Sequence, residues 1–175
     1  MKNLILYMSH HGTTAKVVHM LSGLLGHEQT KTVNLHDTKP ISLEEFDTII
    51  IGGSIHAGKI QRKLQHFCED NIDELLHKHV GLFICHIDDE QASEELNHAY
   101  PTPLLEHASA RGLFGGELLV SKMNFIEKMI TKKINGVTED VSNLHYEAIT
   151  KFADTIKSVE KEPVEVEDYS IDMAH

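Results

Sequence analysis

The feature that most constrains this chain is a set of five short apolar runs, separated by stretches with helical periodicity. "NLILYM" (3–8), "FDTIIIGG" (46–53) and "VGLFICHI" (80–87) are apolar at successive positions rather than alternate ones. A strand covered on both faces needs that pattern. "KTVNLH" (31–36) is shorter and more polar, which suits a strand nearer an edge. "LFGGELLV" (113–120) reads as the fifth strand, with Gly115-Gly116 marking a bend or a close backbone approach. Between the runs, Val17, Val18, Leu21, Leu24 and Leu25 recur at helical spacing up to Gly26, and Ile60, Leu64, Phe67, Ile72 and Leu75 form a second stripe. A third helical stretch carries Leu96 and Ala99 and is interrupted by Pro101 and Pro103. Leu144, Ala148, Ile149, Phe152, Ile156 and Val159 make a last one. Strand and helix in alternation specify an α/β fold: a doubly wound, five-stranded parallel sheet with helices on both faces. In such sheets ligands sit beyond the carboxyl ends of the strands, at a switch in strand order. The loops to inspect are therefore 9–14, 53–59, 86–91 and 121 onward.

A chain of 175 residues fits one domain, expected over 1–160. After the fifth strand comes an insertion at about 121–138, where Met123, Ile126, Ile130 and Ile134 give an amphipathic helix. Residues 161–175 form an acidic C-terminal tail, expected to be poorly ordered or loosely docked; "EKEPVEVEDYSIDMAH" (160–175) holds six acids and one Lys. A formal charge of −11 speaks against nucleic acid as a partner, since phosphate contacts need a basic surface. No apolar run approaches the ~20 residues of a membrane helix, and "MKNLILYMSHH" is too short in apolar residues for a secretory signal. Cys68 and Cys85 lie in apolar contexts and read as buried free thiols of a reducing cytoplasm. The fourteen histidines are scattered, without H-E-x-x-H spacing, so no metal site is expected.

The loop Ser9, His10, His11, Gly12, Thr13, Thr14 lies where a strand ends and a helix begins. Free helix amides, three small hydroxyls, the helix dipole and a glycine together suit a phosphate. Simple capping of the helix by Ser9 or Thr13 accounts for the same residues equally well. The P-loop sequence G-x-x-x-x-G-K-[ST] and the dinucleotide fingerprint G-x-G-x-x-G are both absent. A phosphoacceptor receiver domain needs acids after its first and third strands, where this chain has Tyr7-Met8-Ser9 and Gly52-Gly53-Ser54.

"ILYMSHHGTTAKVV" resembles the phosphate loop of flavodoxins, whose hydroxyl-rich turn holds the 5′-phosphate of FMN without a lysine. "IIIGGSIHAGKI" resembles the G-x-S-I-x-x-G segment of the flavodoxin-type, menaquinone-dependent protoporphyrinogen IX oxidases. "NFIEKMITKKINGVTEDVSNLHYEAITKFA" is similar to the region after the fifth strand in that family, with its Met-Ile, Lys and Gly-x-x-x-Asp pattern. The likeness runs to about residue 157. It implies FMN as cofactor. Carried over by position, Ser9 to Thr14 form the phosphate loop, Ser54, Ile55, His56, Ala57 and Gly58 the second flavin loop, and His86, Ile87 and Asp88 the third. Gly58 is then free to change conformation when flavin N5 is protonated. Unlike ordinary flavodoxins, the chain has no Trp, and neither 53–59 nor 86–91 holds an aromatic ring. Ile55 and the imidazoles of His56 or His86 would have to cover the isoalloxazine.

The resemblance implies an FMN-dependent dehydrogenase that oxidises protoporphyrinogen and passes electrons to a quinone, as a step of heme biosynthesis. The alternative is a flavodoxin-type electron-transfer protein with protein redox partners. A nicotinamide-fed quinone reductase has no dinucleotide motif behind it. Local charge favours the enzyme: Lys59, Arg62 and Lys63 follow the second flavin loop, and Lys122, Lys128, Lys132 and Lys133 crowd the insertion against Glu127. Basic groups near the flavin suit the propionates of a porphyrinogen. The insertion's apolar stripe would make at most peripheral contact with the inner face of the membrane, where quinone resides. Packing of that stripe on its own sheet, with the lysines solvated, is the plain alternative. No catalytic residue is singled out.

Overall fold

The computed structural model describes residues 1–9, 12–36, 41–118, 120–122, 128–129, 132–133, 136 and 138–159. In chain order the elements are β1 (Asn3–Met8), α1 (Thr13–Leu25), β2 (Thr30–Asn34), β3 (Thr48–Ser54), α2 (Arg62–Asp70), α3 (Ile72–Leu75) and β4 (His79–Cys85). Then follow α4 (Ala92–Ala99), α5 (Thr102–His107), β5 (Ala110–Leu113), β6 (Gly115–Leu118), a 3-10 turn (Val120–Lys122), β7 (Val141–Leu144) and α6 (Tyr146–Val159). The main sheet runs β2-β1-β3-β4-β5, with every pairing parallel. The chain leaves β1 outward to β2 and returns across it to β3. The switch in strand order therefore falls between β1 and β3, as the alternation requires.

The unbroken apolar runs are explained by the two cores. Successive strand residues face opposite ways, and each face is covered. Leu4 and Leu6, Ile49 and Ile51, and Val80, Leu82 and Ile84 pack with Leu64, Cys68, Leu96 and Leu104 from α2, α4 and α5. Ile5, Ile50, Phe83 and Cys85 pack on the other side with Val17, Leu21, Phe152 and Ile156 from α1 and α6. Each fully buried aliphatic or aromatic side chain is worth about 1.5–3 kcal/mol over exposure, so register is strongly fixed. A one-residue slip would exchange the two cores.

Three local expectations are corrected. The stripe from Ile60 to Leu75 is two helices, because Asn71 leaves helical geometry and its Nδ2 donates to Phe67 O at 2.8 Å. Leu144 ends β7 and does not belong to the last helix. The fifth strand of the sheet is Ala110–Leu113, and "LFGGELLV" is cut in two. Phe114 is fully buried in the second core, its ring 5.0 Å from Phe83 and 5.3 Å from Phe152. Gly115 then takes φ 66°, a left-handed turn that a side chain would resist. The chain leaves the sheet there, and β6 pairs antiparallel with β7. As an edge strand with Arg111 exposed, β5 has a weak apolar signal. Among the described residues, no helix is long and apolar enough to cross a membrane.

Candidate functional site

The loops after β1, β3 and β4 share the carboxyl edge of three neighbouring parallel strands. Ile55 N donates to Cys85 O at 2.8 Å, which ties the second loop to the end of β4.

In the first loop, Gly12 is the N-cap of α1 with φ 90°, and no side chain caps the helix. The first-turn amides, which helix geometry leaves without intrahelical acceptors, are thus open to an anion. The three predicted hydroxyls have different fates. Ser9 Oγ accepts from Gly12 N at 3.3 Å and orders the turn. Thr13 Oγ1 donates to Glu117 O at 3.2 Å, fastening α1 to β6. Thr14 is buried, and its Oγ1 has no hydrogen-bond partner. Cys85 lies beside it, and burial pushes that thiol up to about 12, with the Thr14 hydroxyl a lesser, opposing influence. A buried hydroxyl with no partner beyond a weak contact to the Cys85 thiol, at an uncapped helix start, fits a phosphate oxygen. Glu117, whose backbone holds Thr13, is paired: its Oε1 lies 2.8 Å from Lys16 Nζ and 3.0 Å from Ser142 Oγ. That ion pair also raises the pKa of Lys16. His10 and His11 lie outside the described residues.

The second loop is a tight turn. His56 N donates to Lys59 O at 2.9 Å, Lys59 N donates back to His56 O at 3.2 Å, and both central residues have positive φ, 50° at Ala57 and 73° at Gly58. Residues with φ above zero at both centres belong to the primed hairpin turns, where glycine is favoured. Positions 56–59 are exposed, and nothing lies within 4 Å of where a Gly58 Cβ would be. Ser54 Oγ sits 2.9 Å from His56 Nε2 and accepts from Gln61 Nε2 at 3.0 Å, bracing the base of the turn. Ile55 is half-buried against the first core.

In the third loop, Ile87 is 38% exposed. Asp88 builds the turn, its Oδ1 accepting from Glu90 N at 3.0 Å and its Oδ2 from Gln91 Nε2 at 3.1 Å. His86 is not a cover for a ligand: its ring is 2% exposed and directed at Asp89, with Nε2 2.9 Å from Oδ1. Asp89 Oδ1 also lies 3.4 Å from His145 Nε2, and Asp89 Oδ2 accepts from Asn143 Nδ2 at 2.8 Å. The His86 hydrogen bond, then Asn143 and the charge of His145, hold the Asp89 carboxyl below its usual range. Asp89, Asn143 and His145 carry no motif. More than fifty residues separate β4 from β7, and only the fold brings them together.

Of the predicted substrate lysines, Lys128, Lys132 and Lys133 are helical and exposed. Lys122 closes the 3-10 turn. Lys59 and Arg62 border a groove of about 630 Å3 with His56 and His98, whereas the Lys63 ammonium is engaged by Leu35 O.

A family model described as "flavodoxin domain" matches residues 4–144. The chain belongs to that family. FMN is the cofactor of flavodoxins. The flavodoxin domain has the fold of the two-electron reduced Megasphaera elsdenii flavodoxin (13% identity, 89% of this chain and 98% of that one, TM-score 0.54). It also matches a mutant Fusobacterium nucleatum flavodoxin bound to flavin mononucleotide (16% identity, 90% and 96% covered, TM-score 0.50). The rubredoxin oxygen:oxidoreductase of Desulfovibrio gigas contains the same fold (15% identity, TM-score 0.53); 91% of this chain is covered but only 36% of that one. No curated protein matches the sequence.

Proposed function

We propose that this flavodoxin domain binds one FMN at the carboxyl edge of β1, β3 and β4 and works as an electron-transfer protein with protein redox partners. The observation that carries the reading is the uncapped start of α1, with the Thr14 hydroxyl buried and unpartnered beside it. It offers a charged phosphate what it needs: amide donors, a hydroxyl and the positive end of a helix dipole. The 56–59 turn, with both φ angles positive, would meet the flavin edge through backbone groups. FMN supplies the redox chemistry, and the chain supplies binding and electrostatics. Asp88 and Glu90, exposed on the third loop, suit docking of a basic partner. An absorbance spectrum of the purified protein, followed by titration with FMN, tests the reading. A colourless protein that takes up no FMN in calorimetry refutes it.

A second reading, oxidation of a porphyrinogen with a quinone as acceptor, is favoured by the exposed Lys128, Lys132 and Lys133 after the sheet and by Lys59 and Arg62 on the groove at the second loop. If the three insertion lysines receive propionates, changing all three to Gln raises KM for the porphyrinogen and leaves FMN affinity unchanged. Ready electron exchange with a redox protein, and no porphyrinogen oxidation with quinones, decides for the carrier.

A further inference from the structure

We propose that His86, Asp89 and His145 form a binding site for a divalent transition cation of the zinc type. Their donor atoms all lie within 4.8 Å of one another. Two imidazoles and one carboxylate are a borderline N2O set, the chemistry that zinc takes in three-ligand sites with a further position open.

The orientation of the donors is the stronger argument. His145 Nδ1 lies 3.2 Å from Leu113 O, and a carbonyl can only accept, so the ring proton of the neutral form sits on Nδ1. Nε2 then points at Asp89 Oδ1, 3.4 Å away; an imidazolium bridges that gap with its own proton, and a cation that displaces the proton takes the same two donors. For His145 this is the outer shell of a metal site, in which a ligating histidine gives its other N–H to a backbone carbonyl and the carboxylate is itself hydrogen-bonded; His86 Nδ1 has no such partner. Asn143 supplies the second feature, binding Asp89 Oδ2 at 2.8 Å and leaving Oδ1 to the imidazoles.

Two of the three donor spacings are near what zinc takes, and all three donors lie within 4.8 Å of one another. Zinc with ligands at about 2.0–2.2 Å in a tetrahedron sets donors about 3.4 Å apart. The Asp89–His145 distance is 3.4 Å already, and the His86–Asp89 distance must open from 2.9 Å. The Asp89 side chain is 50% exposed and can give way, while His86 is held by its burial. His86 now presents Nε2–H to Asp89; on ligation that proton moves to Nδ1, which is buried and has no partner. A neutral His86 changes tautomer, so no proton is released from it. An ion here would lock the third loop to the β6–β7 hairpin, and the exposed flank leaves room for a water as fourth ligand.

The test uses the full chain and zinc chloride, titrated by competition with a chromophoric chelator, with cobalt(II) as the spectroscopic probe. One equivalent is expected to bind, to give tetrahedral cobalt absorbance and to raise the thermal midpoint. Asp89→Asn and His145→Gln, both at partly exposed positions, should each lose at least a hundredfold in affinity, and Asn143→Ala roughly ten- to a hundredfold. Circular dichroism of the metal-free variants separates lost binding from lost folding. Failure to bind one equivalent, or equal binding by a folded Asp89→Asn or His145→Gln chain, overturns the proposal.

Discussion

Replacing Thr14 by Val tests the phosphate loop through two effects of opposite sign. Valine has nearly the shape of threonine, so the buried volume is kept while the hydroxyl is removed. In the flavin-free protein that hydroxyl has no hydrogen-bond partner, and a buried unsatisfied polar group costs about 1–3 kcal/mol. Its removal should therefore stabilise the flavin-free chain by up to that amount, a rise of roughly 2–4 °C in midpoint per kcal/mol for a domain of this size. The weak contact with the Cys85 thiol is lost as well and trims the gain. With FMN the sign reverses. A hydrogen bond to a charged group is worth about 1.5–3 kcal/mol, or roughly ten- to a hundredfold in Kd. Riboflavin, lacking the phosphate, should bind parent and variant alike. The assay is a thermal melt of both flavin-free proteins alongside fluorescence titrations with FMN and riboflavin. A variant that is less stable without flavin, or that loses both ligands equally, would show that Thr14 is a packing residue and refute the phosphate role. Thr13→Val is the control. Its hydroxyl holds Glu117 O, so it should lower stability by about 0.5–1.5 kcal/mol, the ordinary worth of a hydrogen bond.

Gly58 has open space where a Cβ would go but a φ of 73°, so Gly58→Asn should be nearly neutral in denaturant titrations. Gly58→Val should cost about 1–3 kcal/mol, because a β-branched residue is a genuine outlier there; equal midpoints for the two would mean that the turn relaxes. If the Gly58 peptide meets reduced flavin, spectroelectrochemistry should find a shifted potential in either variant with FMN still bound. At Gly115 a Cβ would lie 1.7 Å from Asn143 O, so Gly115→Ala should cost more than about 3 kcal/mol or prevent folding, and a parent-like melt would contradict the β6–β7 pairing. Cys68 and Cys85 are buried, and burial pushes each thiol up to about 12. Neither should react with a thiol reagent at pH 8 until the chain is unfolded in denaturant, and rapid labelling of the native protein would falsify that burial.

The sheet was legible in the sequence because burial on both faces leaves a local mark. "NLILYM", "TIIIGG" and "VGLFIC" must be apolar at every position, and the helices between them must carry one apolar stripe each. Loop 9–14 and loop 54–58 were legible for a related reason: the ends of parallel strands are where small residues and positive φ are needed, and Gly12 and Gly58 supply them. The edge was not legible. β5 buries one face only, so "ARGL" is faint, while Phe114 made the following run look like the strand that it closes off. Nor could any pattern tell Ser9, Thr13 and Thr14 apart. All three are small hydroxyl residues, and their difference is which partner the fold brings within reach: Glu117 O for Thr13, and no more than the weakly bonding Cys85 thiol for Thr14. The same holds for His86, which sequence assigns to a ligand-facing loop. β7 arrives beside that loop from more than fifty residues further along the chain, with Asn143 and His145, and the ring turns inward to Asp89. Local periodicity records what each segment must bury; the partners of a polar atom are set by chain crossings that no segment encodes alone.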